Sequence, residues 1–198
     1  MKLYFIRHAP TKPNLTGEIV ENYDEVPIIE NDYNDWHLKF DSYLPKIDIN
    51  TPIFTSPILR CKQTCEKLFN RKPNFSIDVL KEFDCKELKN LKFWEITQEQ
   101  FEDIVKLRSN DMEKQIDELL NMFDSIHKVF PNINNIISIS HGMVIRYIYF
   151  YLNNNKSITP YEIINSKGFS FTNLDILTYD TITKEILVNR YKEPIIHN

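Results

Sequence analysis

The feature that most constrains this chain is a short apolar segment near its start that runs directly into an arginine and a histidine. Residues 3–6 read Leu-Tyr-Phe-Ile, a pattern typical of a β-strand buried on both faces. Arg7 and His8 follow, and Pro10 ends regular strand pairing. We therefore expect both side chains at the carboxyl end of a strand, where open α/β sheets bind ligands. Taken alone, the pair would equally fit a chain that simply returns to solvent.

The composition is that of an ordinary globular protein. The 198 residues are 42% hydrophobic and 26% charged, which predicts a single domain over residues 1–198 with a sizeable core. A net charge of −4 argues against a nucleic-acid or anionic membrane partner. No apolar stretch reaches the length of a membrane span. The three cysteines, an odd number, favour reduced thiols and a cytoplasmic location.

A second candidate strand leads into a helix that carries another arginine. Residues 51–55 predict a short buried strand, and Ser56 and Pro57 are typical of an N-cap and a first helical residue. Arg60 then falls in the first turn of the helix, where the helix dipole favours an anion over a cation. This placement indicates a bound anion, although a solvated arginine would also fit. Cys61 and Cys65 lack a second matching ligand pair, so we expect buried thiols and no metal.

Two carboxylates compete for a role beside the third candidate strand. Residues 75–80 alternate in polarity like a strand, and Glu82 follows almost at once. Glu87 lies farther along, in a segment of mixed charge. Glu82 is therefore the better candidate for the mouth of the sheet, and Glu87 is the alternative.

The most strand-like segment after the first is residues 135–140, which ends in His141 and Gly142 before an apolar helix. This repeats the arrangement at the start of the chain: an imidazole follows a strand, and here a glycine lets backbone approach closely. Asn14, in the irregular segment 12–34, is the residue we would place nearest to a bound anion.

The remaining segments complete the predicted architecture. We expect a short helix over 35–44, two helices over 97–130 that are separated near 109–111 with Asp111 as a cap, a short helix near 160–165, and an edge hairpin formed by 171–180 and 184–190. Together these elements predict an α/β fold, a three-layer α/β/α sandwich around a mostly parallel open sheet. Segments 12–34 and 83–110 would form the walls of any pocket.

The candidate residues form a specific chemical inventory of two arginines, two histidines and one carboxylate. Phosphoryl transfer needs cations on the non-bridging oxygens, a nucleophile in line with the leaving oxygen, and a proton for that oxygen. A neutral histidine can supply the nucleophile and a carboxylic acid can supply the proton. The inventory therefore indicates phosphoryl-transfer chemistry.

The opening of the chain also resembles the histidine phosphatase superfamily (phosphoglycerate mutase-like, branch 1). IRHAPTKPN is similar to that family's R-H-G-x-T-x-x-N signature and matches it at Arg7, His8, Thr11 and Asn14. TSPILRCKQT resembles the family's S-S-P-x-x-R-x-x-Q-T segment and includes Arg60. The order of the two motifs is the family's order.

Two further motifs extend the resemblance over about residues 1–180. LKEFDCKELKN resembles L-x-E-x-x-F-G-x-x-E-G, which gives Glu82 the proton-donor position and leaves Glu87 as the alternative. SISHGMVIR resembles the segment of the second histidine, His141. The chain departs from the family pattern at Ala9, where glycine is usual, and at Lys86 and Asn90, where the family has glycines near the acid.

The resemblance implies a metal-independent phosphomonoester hydrolase with no cofactor. The site residues that it implies are His8 as the phosphorylated nucleophile, Glu82 as the proton donor, and Arg7, Arg60, His141 and Asn14 around the phosphoryl oxygens. A phosphoglycerate mutase-type phosphotransferase and a catalytically inactive phosphate- or phosphopeptide-binding module remain alternatives. The expected partner is a small-molecule phosphomonoester, with a phosphoprotein also open, and the sequence fixes neither the substrate nor the oligomeric state.

Overall fold

The computed structural model describes residues 1–20, 23–29, 49–83, 86–89, 91–153 and 170–190. Its strands are β1 (Lys2–Arg7), β2 (Ile53–Thr55), β3 (Phe75–Ser76), β4 (Asn135–Ser140), β5 (Ile176–Asp180) and β6 (Ile186–Asn189). Its α-helices are α1 (Lys12–Thr16), α2 (Leu59–Phe69), α3 (Gln98–Val129) and α4 (Gly142–Asn153), and short 3₁₀ turns cover Tyr23–Glu25, Asp78–Leu80 and Lys86–Leu88.

The six strands form one mixed sheet in the order β3-β2-β4-β1-β5-β6. The β3-β2, β2-β4 and β4-β1 pairs are parallel. The β1-β5 and β5-β6 pairs are antiparallel, so β5 and β6 form the edge hairpin that the alternating tail predicts. The predicted mostly parallel sheet is confirmed, and its parallel strands carry their carboxyl ends to one edge.

Helices cover both faces of the sheet, as the three-layer prediction requires. Alternate residues of β1 point to opposite faces, so Leu3 and Phe5 join one apolar core while Tyr4 and Ile6 join another. Helices α3 and α4 pack on the first face and α2 packs on the second. The predicted burial of the two thiols is confirmed, because Cys61 and Cys65 both lie in the core under α2.

The start of α2 differs from the prediction. The helix begins at Leu59 with Ile58 as its N-cap, rather than at Pro57 with Ser56 as the cap. The Ser56 hydroxyl is fully buried, and it accepts both from the Ile58 N–H at 3.4 Å and from Nε2 of His141 at 2.9 Å. Arg60 is nevertheless the second residue of the helix, so its expected place in the first turn is confirmed.

The third predicted strand is too long. Only Phe75–Ser76 pairs with β2, which itself has three residues, and Phe75 is exposed at the sheet edge. The chain then forms the 3₁₀ turn Asp78–Leu80, which buries Leu80 completely and brings its carbonyl to the Ser140 hydroxyl at 2.7 Å. After this turn, Lys81, Glu82 and Phe83 line the cavity at the carboxyl ends of the strands.

The predicted break in the long helical segment is wrong. Helix α3 runs without interruption through residues 109–111, and Asp111 is an exposed residue inside it rather than a cap. Its start at Thr97 is capped by a reciprocal pair of hydrogen bonds with Gln100. Met112 and Ile116 continue the buried face of the helix. Their burial outweighs the weak helix propensity of the Ser-Asn-Asp sequence.

Two predicted helices, over 35–44 and near 160–165, lie outside the described residues. Segment 12–34, predicted to be irregular, contains the short helix α1 and the 3₁₀ turn Tyr23–Glu25. Gly17 ends α1 with a positive φ of 72°, and the Trp94 ring lies where a side chain at that position would have to be. Among the described residues, no helix is long and apolar enough to cross a membrane.

Candidate active site

Strand pairing brings the two predicted histidines side by side. Arg7 and Ser140 are partners in the parallel β1-β4 ladder, so His8 and His141 leave the sheet at the same level. The backbone N–H of His8 donates to the Ser140 carbonyl at 2.9 Å. The two imidazole centroids are 5.3 Å apart. This short distance follows directly from the register of the sheet.

The hydrogen bonds of His8 fix which of its nitrogens carries the proton. Nδ1 lies 2.7 Å from the Ala9 carbonyl, which can only accept, so Nδ1 donates. Nε2 lies 3.1 Å from Nε of Arg60, which can only donate, so Nε2 accepts. His8 is therefore a neutral imidazole whose Nε2 lone pair faces a cation. Alanine at position 9, where the family usually has glycine, is compatible with this contact to the backbone carbonyl.

Arg60 links both imidazoles through one guanidinium group. Its Nε donates to His8, and its Nη2 donates to Nδ1 of His141 at 3.0 Å. Its Nη1 donates to the Tyr23 carbonyl at 2.6 Å, and the Tyr23 ring centroid lies 3.9 Å from Cζ. The Thr64 hydroxyl accepts from the Ala9 N–H at 2.9 Å and donates to the Arg60 carbonyl at 2.6 Å. This hydroxyl couples the first turns of α2 to the end of β1.

His141 has the opposite tautomer to His8. Because Arg60 donates to its Nδ1, the proton of neutral His141 lies on Nε2 and is donated to the Ser56 hydroxyl at 2.9 Å. Burial lowers the pKa of both histidines well below 6.5, and the positive charges of Arg60 and Arg7 lower it further. Both rings are therefore held neutral.

Arg7 supplies a second guanidinium group beside the first. Its Nη1 donates to the Phe171 carbonyl. Its Nε is buried and has no hydrogen-bond partner among the residues that the structure describes. Gly142 allows this approach, since a Cβ there would lie 3.1 Å from Arg7 Nε. A buried guanidinium nitrogen without a partner is a favourable place for an anionic oxygen.

Glu82 is half-buried near the two arginines, whereas Glu87 is part of an ion pair. Burial raises the pKa of Glu82 above 4.5, although Arg60, Arg7 and the N–H groups of Phe83 and Met143 act in the opposite direction. The Phe83 N–H is 3.2 Å from its carboxylate. Glu87 instead accepts from Arg108 at 2.7 Å. Of the two carboxylates, Glu82 has the environment of a proton donor.

Asn14, on α1, is connected to His8 through the side chain of Asn173. Its Oδ1 accepts from Nδ2 of Asn173 at 3.2 Å, and the same Nδ2 is 2.8 Å from the His8 carbonyl. Oδ1 also accepts from the Thr11 N–H and hydroxyl. Asn14 is thus held in place by its own helix and by the loop before β5.

A cavity of about 870 Å³ opens above this cluster. Arg7, Asn14 and Glu82 line it, whereas His8, Arg60 and His141 are at most 1% exposed and lie beneath it. Tyr23 also lines the cavity and covers Arg60. Residues of both predicted wall segments, 12–34 and 83–110, take part in the lining. Among the described residues, no group of three or more His, Cys, Asp or Glu is arranged to hold a metal ion.

A family model for the histidine phosphatase superfamily (branch 1) matches residues 3–187, nearly the whole chain. The chain belongs to this superfamily. The resemblance drawn from the four motifs is therefore confirmed. A search of the curated proteins finds no match.

Solved structures confirm the superfamily's fold in this chain. A mutant phosphoserine phosphatase from Entamoeba histolytica, in complex with phosphoserine, shares 19% identity with a TM-score of 0.67 and covers 94% of each chain. A complex of phosphoserine phosphatase from the same organism with 3-phosphoglyceric acid shares 20% identity, with a TM-score of 0.66 and 98% coverage of each chain. A structure from Escherichia coli K-12 shares 14% identity with a TM-score of 0.68, covering 98% of this chain and 97% of that one.

The structure adds supporting residues to this histidine phosphatase site that the sequence did not assign. Ser56 and Thr64 lie inside the quoted TSPILRCKQT motif, so the motif itself was a signal for them. Asn173 and Phe171 precede the hairpin, and Tyr23 lies in the segment predicted to be irregular. Phe171 contacts Arg7 through its backbone carbonyl, which every residue type carries, so no side-chain pattern could have found it. Tyr23 contacts Arg60 through both its carbonyl and its ring, and no periodicity in its segment marks it.

Proposed function

We propose that this histidine phosphatase superfamily member hydrolyses phosphomonoesters through a phosphohistidine on His8, without a metal ion. The observation that carries the proposal is the tautomer of His8. Its Nδ1 proton is held by the Ala9 carbonyl, so the Nε2 lone pair faces the Arg60 guanidinium. A neutral imidazole with its lone pair beside a cation is suited to attack a phosphorus atom whose oxygens the cation binds.

The two arginines would hold the phosphoryl group, and His141 would position Arg60 before the ester binds by accepting from its Nη2. The Nε and Nη2 groups of Arg60 now donate to the two imidazoles, and phosphoryl oxygens would take over these donors on binding. Arg7 adds its buried Nε, which has no partner among the described residues. Asn14 would assist from the cavity wall. These cations supply the charge compensation that phosphoryl transfer requires.

Glu82 would move the protons in both half-reactions. In the first, Nε2 of His8 bonds to phosphorus, the ester P–O bond breaks, and Glu82 gives its proton to the leaving oxygen. In the second, the Glu82 carboxylate takes a proton from water, the resulting hydroxide bonds to phosphorus, and the P–N bond breaks. The raised pKa of Glu82 supports this assignment, because the carboxyl group must be protonated when the ester binds.

The named relatives support a small-molecule substrate. The Entamoeba histolytica structures are phosphoserine phosphatases in complex with phosphoserine and with 3-phosphoglyceric acid. Both ligands are small phosphomonoesters. At 19–20% identity the comparison supports the class of substrate and leaves the particular ester open.

Replacing His8 with alanine tests the proposal. We expect His8→Ala to abolish release of phosphate from para-nitrophenyl phosphate and to abolish an acid-labile, base-stable phosphoenzyme. His127→Ala, a matched histidine change on α3 away from the site, should retain both. Equal phosphate release by the wild type and His8→Ala would contradict the proposal.

Two further measurements separate hydrolysis from the two alternatives. A phosphotransferase of the mutase type would transfer phosphate between 3- and 2-phosphoglycerate faster than it releases free phosphate. A binding module would bind inorganic phosphate without forming a phosphoenzyme. Either result would replace hydrolysis as the activity of the site.

A further inference from the structure

The cavity above the histidines is far larger than a phosphoryl group needs, and most of its wall is hydrocarbon. Its volume of about 870 Å³ lies in the range of sites that enclose sizeable organic ligands. Four phenylalanine rings line it, from Phe83, Phe93, Phe101 and Phe171, and the Tyr23 ring lines it beside Arg60 at the reacting end. Aliphatic side chains of residues 19, 20, 58, 88, 96 and 143 fill the surface between the rings.

Of the eight charged side chains in the wall, four lie at the reacting end or form ion pairs. Arg7 and Glu82 lie at the reacting end, Glu87 is paired with Arg108 at 2.7 Å, and Lys81 is paired with Asp78 at 3.0 Å. Asp24 and Glu25 are exposed. Two further cations, Lys89 and Arg146, line the cavity, and the experiment below tests whether they recognise an anion.

We propose that the substrate is a phosphomonoester with a bulky, largely apolar leaving group that fills this cavity. The inference rests on the proposed function, because it assigns the phosphoryl end to His8 and the ester oxygen to Glu82. The wall begins next to the acid: Phe83 follows Glu82, and Met143 supplies both a lining side chain and a backbone N–H to the Glu82 carboxylate. A carbon chain leaving the ester oxygen at Glu82 therefore enters apolar surroundings immediately.

An apolar occupant also accounts for the chemistry better than a small polar one. A filled cavity removes hydrocarbon from water, which favours binding in proportion to the area covered. It also keeps water away from the phosphoryl group until the leaving group has gone, which orders the two half-reactions. A small polar ester would leave the four rings hydrated and the entrance open.

A series of n-alkyl phosphates tests the proposal with the leaving-group chemistry held constant. From ethyl to hexyl phosphate we expect kcat/KM to rise about two- to fourfold per methylene, the effect of transferring CH₂ groups out of water. Binding of ethylphosphonate and hexylphosphonate, measured by calorimetry, gives a readout that does not depend on turnover. Hexylphosphonate should bind at least tenfold more tightly.

A substitution in the cavity wall and a matched control outside it test whether the dependence of kcat/KM on chain length arises in the cavity. Phe101→Ala, in the first turn of α3, should lower kcat/KM for hexyl phosphate about tenfold and change the ethyl value less than about twofold. Leu107→Ala removes an apolar side chain from the same helix at a position that is 63% exposed, and should leave the series unchanged.

Three results would overturn the proposal. The first is a kcat/KM that does not rise with chain length. The second is hexylphosphonate binding no tighter than ethylphosphonate binding. The third is a preference for an alkyl phosphate ending in a carboxylate over its methyl-terminated equivalent of equal length, which would assign the cavity to an anion through Lys89 and Arg146. Tight hexylphosphonate binding without any hydrolysis would instead refute the proposed function and leave the apolar site standing.

Discussion

Two glutamates five residues apart show how the surroundings of a side chain decide its chemistry. Glu82 is half-buried near two arginines, and its pKa is still raised because loss of hydration outweighs their attraction. Glu87 reaches the same cavity but is ion-paired with Arg108. The sequence ranked Glu82 first from its distance to a predicted strand. The physical reason that favours Glu82 is its loss of hydration, which raises its pKa. Residue spacing alone does not reveal it.

We predict that Glu82→Gln slows esters with poor leaving groups far more than esters with good ones. An alkoxide needs a proton to leave, whereas para-nitrophenolate does not, so general acid catalysis matters only for the former. We expect kcat/KM for an alkyl phosphate to fall by about 10²–10⁴-fold, and that for para-nitrophenyl phosphate by less than about tenfold. Steady-state kinetics of both esters measure the difference. Glu87→Gln is the matched control, and selectivity in that variant would transfer the acid role to Glu87.

The hydrogen-bond partners of Arg60 show which contacts a sequence pattern cannot predict. The sequence placed Arg60 near a bound anion, and the structure brings it between two imidazoles. Its third partner, the carbonyl of Tyr23, comes from a 3₁₀ turn that no periodicity marks. Side-chain motifs therefore identify which groups meet, while their hydrogen-bond partners depend on backbone that has no sequence signature.

At the scale of elements, long apolar patterns predicted more reliably than local capping residues. Strands β1 and β4, helix α4 and the edge hairpin all follow their sequence patterns. Two of the errors fall where a single polar residue was assigned a cap, and a third is the overlong strand predicted over 75–80. Ser56 accepts from a buried imidazole as well as from the Ile58 N–H, and α2 begins two residues later than predicted. Asp111 lies exposed within α3. A residue typical of a cap marks a helix end only where the backbone also starts or stops its helix at that point.

We predict that Thr97 and Asp111 differ sharply in their effect on stability. Thr97 accepts from the Gln100 N–H at 3.2 Å at the real start of α3, so Thr97→Ala should lower the free energy of unfolding by about 1 kcal/mol. Asp111→Ala replaces an exposed mid-helix residue with the best helix former, so it should change that free energy by less than about 0.5 kcal/mol, or raise it slightly. Urea denaturation of both variants measures the contrast. A larger loss for Asp111→Ala would indicate a helix that begins there in solution.

On the scale of the whole molecule, the parallel sheet assembles the site. The residues of the site are spread from position 7 to position 141, and the carboxyl ends of β1, β2 and β4 bring them to one edge. The sequence predicted this edge because a charged or ionisable residue followed each predicted strand, directly after 3–6 and 135–140 and within a few residues after the other two. It could not predict how the cluster is sealed. The covering surfaces come from segments whose shape depends on tertiary contacts, such as the Trp94 ring against Gly17.

The sealed cluster has a consequence for stability as a whole. His8 and His141 are kept neutral in the folded protein, with their pKa values well below 6.5, but regain a pKa of about 6.5 when the chain unfolds. Below that pH the unfolded chain binds more protons than the folded protein does. Protonation therefore favours unfolding, and stability is lost as the pH falls. Glu82 acts with the opposite sign, since its raised pKa makes stability fall as the pH rises above 4.5.

We therefore predict that the free energy of unfolding decreases as the pH falls below about 6.5, with each buried histidine contributing at most on the order of 1 kcal/mol per pH unit. His8→Gln and His141→Gln should each reduce the slope by about that amount, because each removes one titrating imidazole and leaves the other groups in place. Urea denaturation at a series of pH values measures the slopes. Thr97→Ala is the control, since it should shift the whole curve downward without changing its slope. Unchanged slopes in both histidine variants would mean that the imidazoles are protonated in the folded protein, and a cationic His8 would have no lone pair with which to attack phosphorus.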